Sequence, residues 1–97
     1  MKYEIVLSPE AAVTYKELGA HQKAEVRETI EIHLRHEPMK VSKSRIKRLR
    51  GLSRPQYRLR VGELRIYYDV SSSTVEILAI VEKSKSAEWL KKAGESE

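Results

Sequence analysis

Alternation of apolar and polar residues predicts β-strands at the start and in the second half of the chain. Residues 2–7 place Tyr3, Ile5 and Leu7 on one side of a first strand. Residues 57–61 and 64–70 alternate in the same way. Residues 74–81 end in five consecutive apolar residues, which is typical of a central strand buried on both faces.

Apolar residues at helical spacing predict two helices after the first strand. Ser8 and Pro9 fit the N-cap and the first position of the first helix, and Gly19 suits its end. The second helix is expected to begin near Gln22 and to end before Pro38. The apolar positions of the two helices are Ala11, Tyr15, Leu18, Val26, Ile30 and Leu34.

Gly62 and Glu63 separate two alternating segments and predict a β-hairpin with a two-residue turn. This register pairs Arg60 with Arg65 and Arg58 with Tyr67. Strand alternation then assigns five residues to the core face: Leu59, Val61, Leu64, Ile66 and Tyr68. The opposite face carries Arg58, Arg60, Arg65 and Tyr67, which we call the arginine face.

The order of the elements predicts an α+β fold. A short strand around Ile46–Leu49 and a closing helix over residues 84–92, with Ala87 and Leu90 facing inward, complete the pattern. We expect one domain over residues 1–97, with a twisted, mostly antiparallel sheet of four or five strands. Two N-terminal helices pack on one face of this sheet, and a short C-terminal helix follows it.

Basic residues are concentrated in the middle of the chain, whose net charge is +5. Residues 40–65 hold ten of the nineteen basic residues and one acid, Glu63, so this segment carries +9 and the remainder −4. Such asymmetry is typical of a surface that binds a polyanion, and the alternative is a solvated basic face.

Other features narrow the class of protein. There is no cysteine, which excludes a disulfide framework, a thiolate zinc site and a thiol nucleophile. No apolar run reaches the roughly 18 residues of a membrane span, and residues 1–10 do not resemble a signal peptide. We therefore expect a cytoplasmic protein without a membrane partner.

Arg60 and Arg65 are placed directly opposite each other by the predicted register, and opposed like charges destabilise a sheet. One interpretation is an anion site, because guanidinium groups bind phosphate oxygens as planar forks. The alternative is that acids elsewhere, such as Asp69 and Glu76, pair with these arginines.

The segments KRLRG (47–51) and YRLRVGELRIYY (57–68) resemble the RelE/ParE toxin superfamily, in particular its RelE-like members. The resemblance extends over essentially the whole chain, because the order of the elements and the basic middle also fit. It implies a toxin of a type II toxin-antitoxin system that cleaves mRNA in the ribosomal A site, as an endoribonuclease that needs no metal or other cofactor.

The resemblance also implies roles for individual residues. Arg60, Arg65 and Lys83 match the catalytic positions of the family. The implied reaction is an attack of the RNA 2′-hydroxyl on the adjacent phosphate. The residues implied to bind RNA are Lys47, Arg48, Arg50, Arg58, Tyr67, Lys85 and Trp89. Two positions depart from the family pattern, because Arg60 stands where a lysine is frequent and Trp89 where a tyrosine is frequent. Arginine is a poor base and tryptophan has no ionisable hydroxyl.

Three histidines and one acid are further candidates for functional residues. His33 and His36 are spaced i, i+3 on the second helix, but no third metal ligand is evident, so we expect them to be solvated and the protein to bind no metal. His21 is expected to be a polar residue at a helix boundary. Glu63 fits a solvated turn residue better than a general base.

Two further functions remain open from the sequence. The first is that of a ParE-like DNA gyrase inhibitor, and the second is that of a weakly catalytic relative that binds only antitoxin and operator DNA. All three functions imply a cognate antitoxin, whose acidic or amphipathic segment covers the arginine face or lies on the helical side. The ribosome is the other partner implied for the ribonuclease, and operator DNA is bound only through the antitoxin complex.

Overall fold

The computed structural model describes residues 1–95 and confirms the predicted α+β fold. Three helices and five strands follow in this order: β1 (Glu4–Leu7), α1 (Pro9–Glu17), α2 (Ala20–Leu34), β2 (Ile46–Arg48), β3 (Tyr57–Val61), β4 (Leu64–Ser71), β5 (Thr74–Glu82) and α3 (Ser86–Glu95). The strands form one sheet in the order β1-β5-β4-β3-β2. β1 runs parallel to β5, and the other neighbours are antiparallel.

The two N-terminal helices begin at capped positions. The Ser8 hydroxyl accepts a hydrogen bond from the Ala11 N–H at 3.1 Å, as expected of an N-cap, and Pro9 follows it. The prediction that Gly19 ends α1 is wrong, because α1 already ends at Glu17. Gly19 has extended backbone angles and is the N-cap of α2, which therefore begins at Ala20 and not near Gln22.

The core lies between these helices and one face of the sheet. Val26, Ile30 and Leu34 of α2 are buried, as their four-residue spacing predicts. They belong to the same cluster as the predicted core face of the hairpin: Leu59, Val61, Leu64, Ile66 and Tyr68. Burying an aliphatic side chain of this size contributes about 1.5–3 kcal/mol, so this cluster fixes which face the helices cover.

The β3–β4 hairpin has the predicted register. Val61 pairs with Leu64, Arg60 with Arg65, and Arg58 with Tyr67. Gly62, the first residue of the turn, has φ = +57°, a left-handed conformation that favours glycine. Because the register is as predicted, Arg58, Arg60, Arg65 and Tyr67 share the face of the sheet opposite the core.

β4 and β5 are both interior strands of the sheet, as the apolar run of β5 predicted, and β4 is the more completely buried of the two. β5 lies between β1 and β4, and Leu78 and Val81 in its apolar run are only half-buried. Leu64–Tyr68 of β4 is buried at five successive positions, so both faces of that strand are covered. Between the pairs Tyr67–Ala79 and Tyr68–Ile77 the register shifts by one residue.

Helix α3 contacts the face of the sheet that carries Tyr67, opposite the core face that α2 covers. A 3₁₀ turn over Lys83–Lys85 leads into it from β5. Trp89 stacks on Tyr67, and Leu90 is half-buried. The prediction that Ala87 faces inward is wrong, because Ala87 is exposed. In the part of the chain described, no helix has the length and apolar character needed to cross a membrane.

Candidate functional site

The arginine face is built from cross-strand pairs on β3 and β4. Arg60 lies opposite Arg65, and Arg58 lies opposite Tyr67. The β2 strand extends the second pair, because Lys47 lies opposite Arg58 on its other side. Paired residues point to the same face of a sheet, so Lys47, Arg58 and the Arg60–Arg65 pair form one cationic surface held by rigid strands.

Arg65 is the most enclosed of these cations, with 6% of its surface exposed. Its Nη1 donates hydrogen bonds to the Gly62 and Leu64 carbonyl oxygens, both at 2.9 Å. Burial, followed by the charges of Arg58 and Arg60, lowers the pKa of Arg65 below its usual value. A guanidinium group keeps its proton at neutral pH, so Arg65 is a cation in a local excess of positive charge, which a bound anion would relieve.

Arg58 and Arg60 have no carboxylate partner among residues 1–95. The Arg58 Nε atom is buried without a hydrogen-bond partner, which is a costly state for a charged donor. Arg60 is exposed, and its backbone is tied to the chain before β2, where the Arg45 Nη1 atom donates to the Arg60 carbonyl at 3.0 Å. The exposed guanidinium group of Arg60 is thus accessible to an external anion, whereas the Arg58 Nε atom is enclosed.

Lys83 and Lys85 lie in the 3₁₀ turn after β5, and both are exposed. The Lys83 N–H donates to the Glu63 carbonyl at 2.8 Å, so the backbone of Lys83 lies beside the hairpin turn. Leu64 at the start of β4 also pairs with Glu82, the residue before Lys83. The structure thus brings Lys83 to the end of the sheet where Arg60 and Arg65 lie.

Trp89 and Tyr67 contact each other, although each was predicted to bind RNA separately. Their rings stack with centroids 4.8 Å apart and planes 8° apart. The Trp89 Nε1–H also donates to a Glu10 carboxylate oxygen at 2.9 Å. Tyr67 is only 1% exposed, so a ligand can reach it only if Trp89 moves, whereas Trp89 itself remains partly accessible.

The basic residues of β2 and the segment after it point in different directions. Arg48 pairs with Tyr57, a core residue, so it leaves the sheet on the side opposite Lys47. Its guanidinium lies 4.9 Å from the centroid of the Tyr57 ring and donates to the Gln56 carbonyl at 3.3 Å. Arg50 is exposed in the loop between β2 and β3. Lys47, Arg48 and Arg50 are all implied to bind RNA, but of these three only Lys47 shares the arginine face.

Asp69 and Glu76 do not pair with the arginines of the hairpin, which was the alternative explanation for those cations. Both carboxylates bind Arg54, whose Nε lies 2.7 Å from Asp69 Oδ2 and whose Nη2 lies 2.9 Å from Glu76 Oε1. In the sequence, Arg54 is only one of the ten basic residues of the 40–65 segment, and nothing there indicates its two partners. Its role depends on the path of the loop over residues 49–56, which no local pattern reveals.

The histidines form no metal site. His33 is half-buried, and burial, followed by the charge of Arg45, lowers its pKa below the usual 6.5. His36 is exposed, and its Nδ1 lies 3.3 Å from the Met1 carbonyl. Within residues 1–95, no group of three or more His, Asp or Glu side chains is arranged to hold a metal ion.

No family model and no curated protein matches the chain. Several solved structures do match it. An archaeal RelE in a RelE–RelB complex from Pyrococcus horikoshii superposes with a TM-score of 0.71 at 23% identity, over 88% of this chain and 99% of that one. The toxin-antitoxin complex RelBE2 from Mycobacterium tuberculosis gives 0.69 at 25% identity, over 84% and 99%.

A mutant of the Escherichia coli toxin RelE in the free state matches almost the full length of both chains. It covers 99% of this chain and 97% of that chain, with a TM-score of 0.70 at 16% identity. Identities this low leave the activity open, but the agreement in fold extends from β1 to α3. The architecture implied by the sequence resemblance is therefore confirmed, and the chain has the fold of the RelE toxins.

Proposed function

We propose that this protein is the toxin of a type II toxin-antitoxin system, and that it cleaves mRNA in the ribosomal A site and so inhibits translation. The observation that carries the proposal is the Arg60–Arg65 pair, two opposed cations with no carboxylate partner among residues 1–95. The pair does not stabilise the sheet, because like charges repel each other. The two guanidinium groups can instead form charge-assisted hydrogen bonds to a phosphate group bound between them.

The reaction that fits this surface is transfer of a phosphodiester to the neighbouring 2′-hydroxyl. The 2′-oxygen forms a new bond to phosphorus, the bond from phosphorus to the 5′-oxygen breaks, and the products carry a 2′,3′-cyclic phosphate and a 5′-hydroxyl. One proton passes from the 2′-oxygen to a water molecule, and one reaches the 5′-oxygen from a lysine ammonium group, which then regains a proton from the solvent. No redox partner and no external phosphate acceptor are needed.

Arg65 and Arg60 act on the phosphate oxygens, where negative charge grows in the transition state. Fixed cations on rigid strands stabilise such charge without reorganising, and this electrostatic effect is usually the largest single contribution to catalysis. Arg58, which is half-buried between Lys47 and Tyr67, adds positive charge beside them. Arginine stays protonated at neutral pH, so these residues are assigned neither the acid nor the base.

Lys83 is the candidate proton donor to the 5′-oxygen, with Lys85 as the rival for that role. Both ammonium groups are exposed at the end of the sheet where Arg60 and Arg65 lie. Trp89 offers its partly accessible ring for stacking on a base, since aromatic stacking tolerates any sequence. We expect the ribosome to hold the RNA in line for attack, so that naked RNA is cut very slowly.

A cognate antitoxin is the partner that keeps the toxin silent. Solved relatives of this fold are complexes of RelE with RelB. We propose that an acidic or amphipathic segment of the antitoxin neutralises the arginine face, and that operator DNA is bound only through that complex. The toxin would then act in the cytoplasm, on the ribosome.

One observation favours a binding function without catalysis. Arg65 donates Nη1 to two backbone carbonyls of its own hairpin, which is a structural use of its guanidinium. A gyrase inhibitor, or a relative that binds only antitoxin and operator DNA, requires a cationic surface but no proton transfer.

Induction of the protein in growing cells, with separate labelling of new protein and new DNA, distinguishes these functions. A ribonuclease stops the incorporation of amino acids first. A gyrase inhibitor triggers the DNA-damage response first, and a binding relative leaves growth unchanged. Either of the last two results contradicts the proposal.

A further inference from the structure

Asp69 and Glu76 oppose each other on β4 and β5, on the same face as the arginines. Opposed carboxylates destabilise a sheet unless a cation lies between them. Arg54 supplies that cation, with one nitrogen on each carboxylate, at 2.7 and 2.9 Å. The Asp69 side chain is only 15% exposed, so its charge-assisted hydrogen bonds are poorly screened by water.

The same carboxylate fastens the end of the 49–56 loop to the sheet. Asp69 Oδ1 accepts a hydrogen bond from the Gln56 N–H at 2.7 Å, and Gln56 Oε1 accepts one from the Val70 N–H at 2.9 Å. The Gln56 carbonyl in turn accepts from the Leu49 N–H at 2.9 Å, which closes the loop at its base. Arg48 donates to that carbonyl as well.

This loop carries or borders exposed cations that the reaction does not use. Arg50 is exposed within it, Arg48 lies at its base, and Gly51 turns the chain with φ = +82°. A loop held at both ends presents these cations in one arrangement. A loop released from Asp69 presents these cations in many arrangements. The binding of a ligand must then order the loop, which costs conformational entropy and lowers the affinity.

We propose that Asp69 is a positioning residue for RNA binding, because it holds Arg54 and Gln56 and so fixes the 49–56 loop as a basic arm against the phosphates of structured RNA. The inference rests on the proposed function, and it deepens that function by separating a surface for RNA affinity from the surface for chemistry. Asp69 itself, an anion, does not contact the RNA.

The variant Asp69→Asn tests this with an outcome that general electrostatics does not predict. Removal of one negative charge raises the net charge of the protein by one unit, so unspecific attraction to RNA increases. If Asp69 positions the loop, Asp69→Asn instead weakens the binding of a short, fluorescein-labelled RNA duplex by roughly three- to tenfold, as expected when side chains must be ordered on binding. Fluorescence anisotropy at fixed salt gives the affinity.

Two further variants serve as matched controls. Glu31→Gln makes the same change in charge at an exposed carboxylate of α2 that pairs with Arg35 and not with the loop, and should leave affinity unchanged or slightly raised. Arg54→Lys keeps the charge but cannot bridge both carboxylates as a planar fork, so it should weaken binding as Asp69→Asn does.

Limited trypsin digestion reports on the loop without any RNA. Cleavage after Arg50 should accelerate in Asp69→Asn and Arg54→Lys, but not in Glu31→Gln, at temperatures where all of them are folded. Unchanged cleavage together with a raised RNA affinity of Asp69→Asn overturns the inference. Failure of the wild type to bind the duplex overturns the proposed RNA surface itself, whatever the digestion shows.

Discussion

Two pairs of like charges lie on the same face of the sheet, and the protein treats them differently. Asp69 and Glu76 are opposed across β4 and β5, and Arg54 bridges them. Arg60 and Arg65 are opposed across β3 and β4, and within the described residues no carboxylate bridges them. The acidic pair is neutralised by a cation of the same chain. The basic pair has no carboxylate counter-ion among the described residues.

The difference shows where to look for function in a fold rich in charge. Both pairs face the same energetic problem, a repulsion of a few tenths of a kcal/mol or more between directly opposed residues. One pair is neutralised from within the chain at Arg54. The other keeps its repulsion, and under the proposed function the phosphate of the RNA is its counter-ion.

Removal of the basic pair should have the largest effect. We expect Arg65→Ala to abolish growth arrest on induction and Arg60→Ala to reduce it strongly, since loss of one preorganised donor typically costs about 100- to 1,000-fold in rate. Arg60→Ala is the cleaner variant, because Arg60 is exposed while Arg65 binds the turn carbonyls. Growth curves after induction, with folding checked by circular dichroism, measure the effect.

Arg27→Ala is the matched control for these variants. It removes one exposed arginine from α2, on the other side of the sheet, and should remain fully toxic. If Arg27→Ala lowers toxicity as much as Arg60→Ala, total charge and not the arginine face determines the activity.

Lys83→Ala should slow cleavage without weakening the binding of ribosomes. Proton transfer by a positioned side chain contributes about 100-fold or more, so we expect a loss near that lower limit. Single-turnover cleavage on saturated ribosomes measures the rate, and co-sedimentation measures binding. An unchanged rate for Lys83→Ala, with a slower rate for Lys85→Ala, would transfer the role of acid to Lys85.

Exchange of a single arginine for glutamine should lower the free energy of unfolding at the acidic pair but not at the basic pair. Arg54→Gln leaves two opposed carboxylates unbridged and should lower the free energy of unfolding by about 0.5–1 kcal/mol. Arg60→Gln removes a repulsion and should leave that free energy equal or raise it by a few tenths of a kcal/mol. Urea denaturation checks both, and a destabilisation by Arg60→Gln as large as that by Arg54→Gln contradicts the comparison.

His33 should contribute the smallest effect, a weak dependence of stability on pH. Because its pKa is lowered in the folded protein, the unfolded chain binds the proton more readily below the usual value of 6.5. The stability that neutral His33 provides is therefore present above pH 6.5 and is lost as pH falls towards the folded pKa. Urea midpoints between about pH 7 and pH 5 should fall more for the wild type than for His33→Gln.

His36→Gln is the control for that titration, since the His36 ring is exposed. It should reproduce the decline of the wild type. An identical decline in all three proteins assigns the pH dependence to other groups. Neither histidine variant should alter toxicity.

The hairpin and the helix faces could be predicted from the sequence because local rules determine them. A two-residue turn together with strict alternation fixes the register of β3 and β4, and so it placed Arg60 opposite Arg65 correctly. The four-residue spacing of Val26, Ile30 and Leu34 likewise identified the buried stripe of α2. In both cases each residue's environment follows from neighbours close in sequence.

Contacts between distant segments could not be predicted in this way. The stacking of Trp89 on Tyr67 joins residues 22 positions apart, and it depends on which face of the sheet α3 covers. The prediction that Ala87 faces inward failed for the same reason, because a short helix with several apolar positions can pack on the sheet through more than one of its faces. The bridge from Arg54 to Asp69 and Glu76 depends on the path of an irregular loop, on which hydrophobic periodicity carries no information.

The measurement that tests the central claim most directly is the cleavage of a defined mRNA by the purified protein and by its Arg65→Ala variant, on programmed ribosomes and on RNA alone. We predict cuts at the A-site codon that need both the ribosome and Arg65, and almost none on naked RNA. Absence of cuts by the wild type under both conditions, or equal cutting by the Arg65→Ala variant, would contradict the assignment of the arginine face as a site of RNA cleavage.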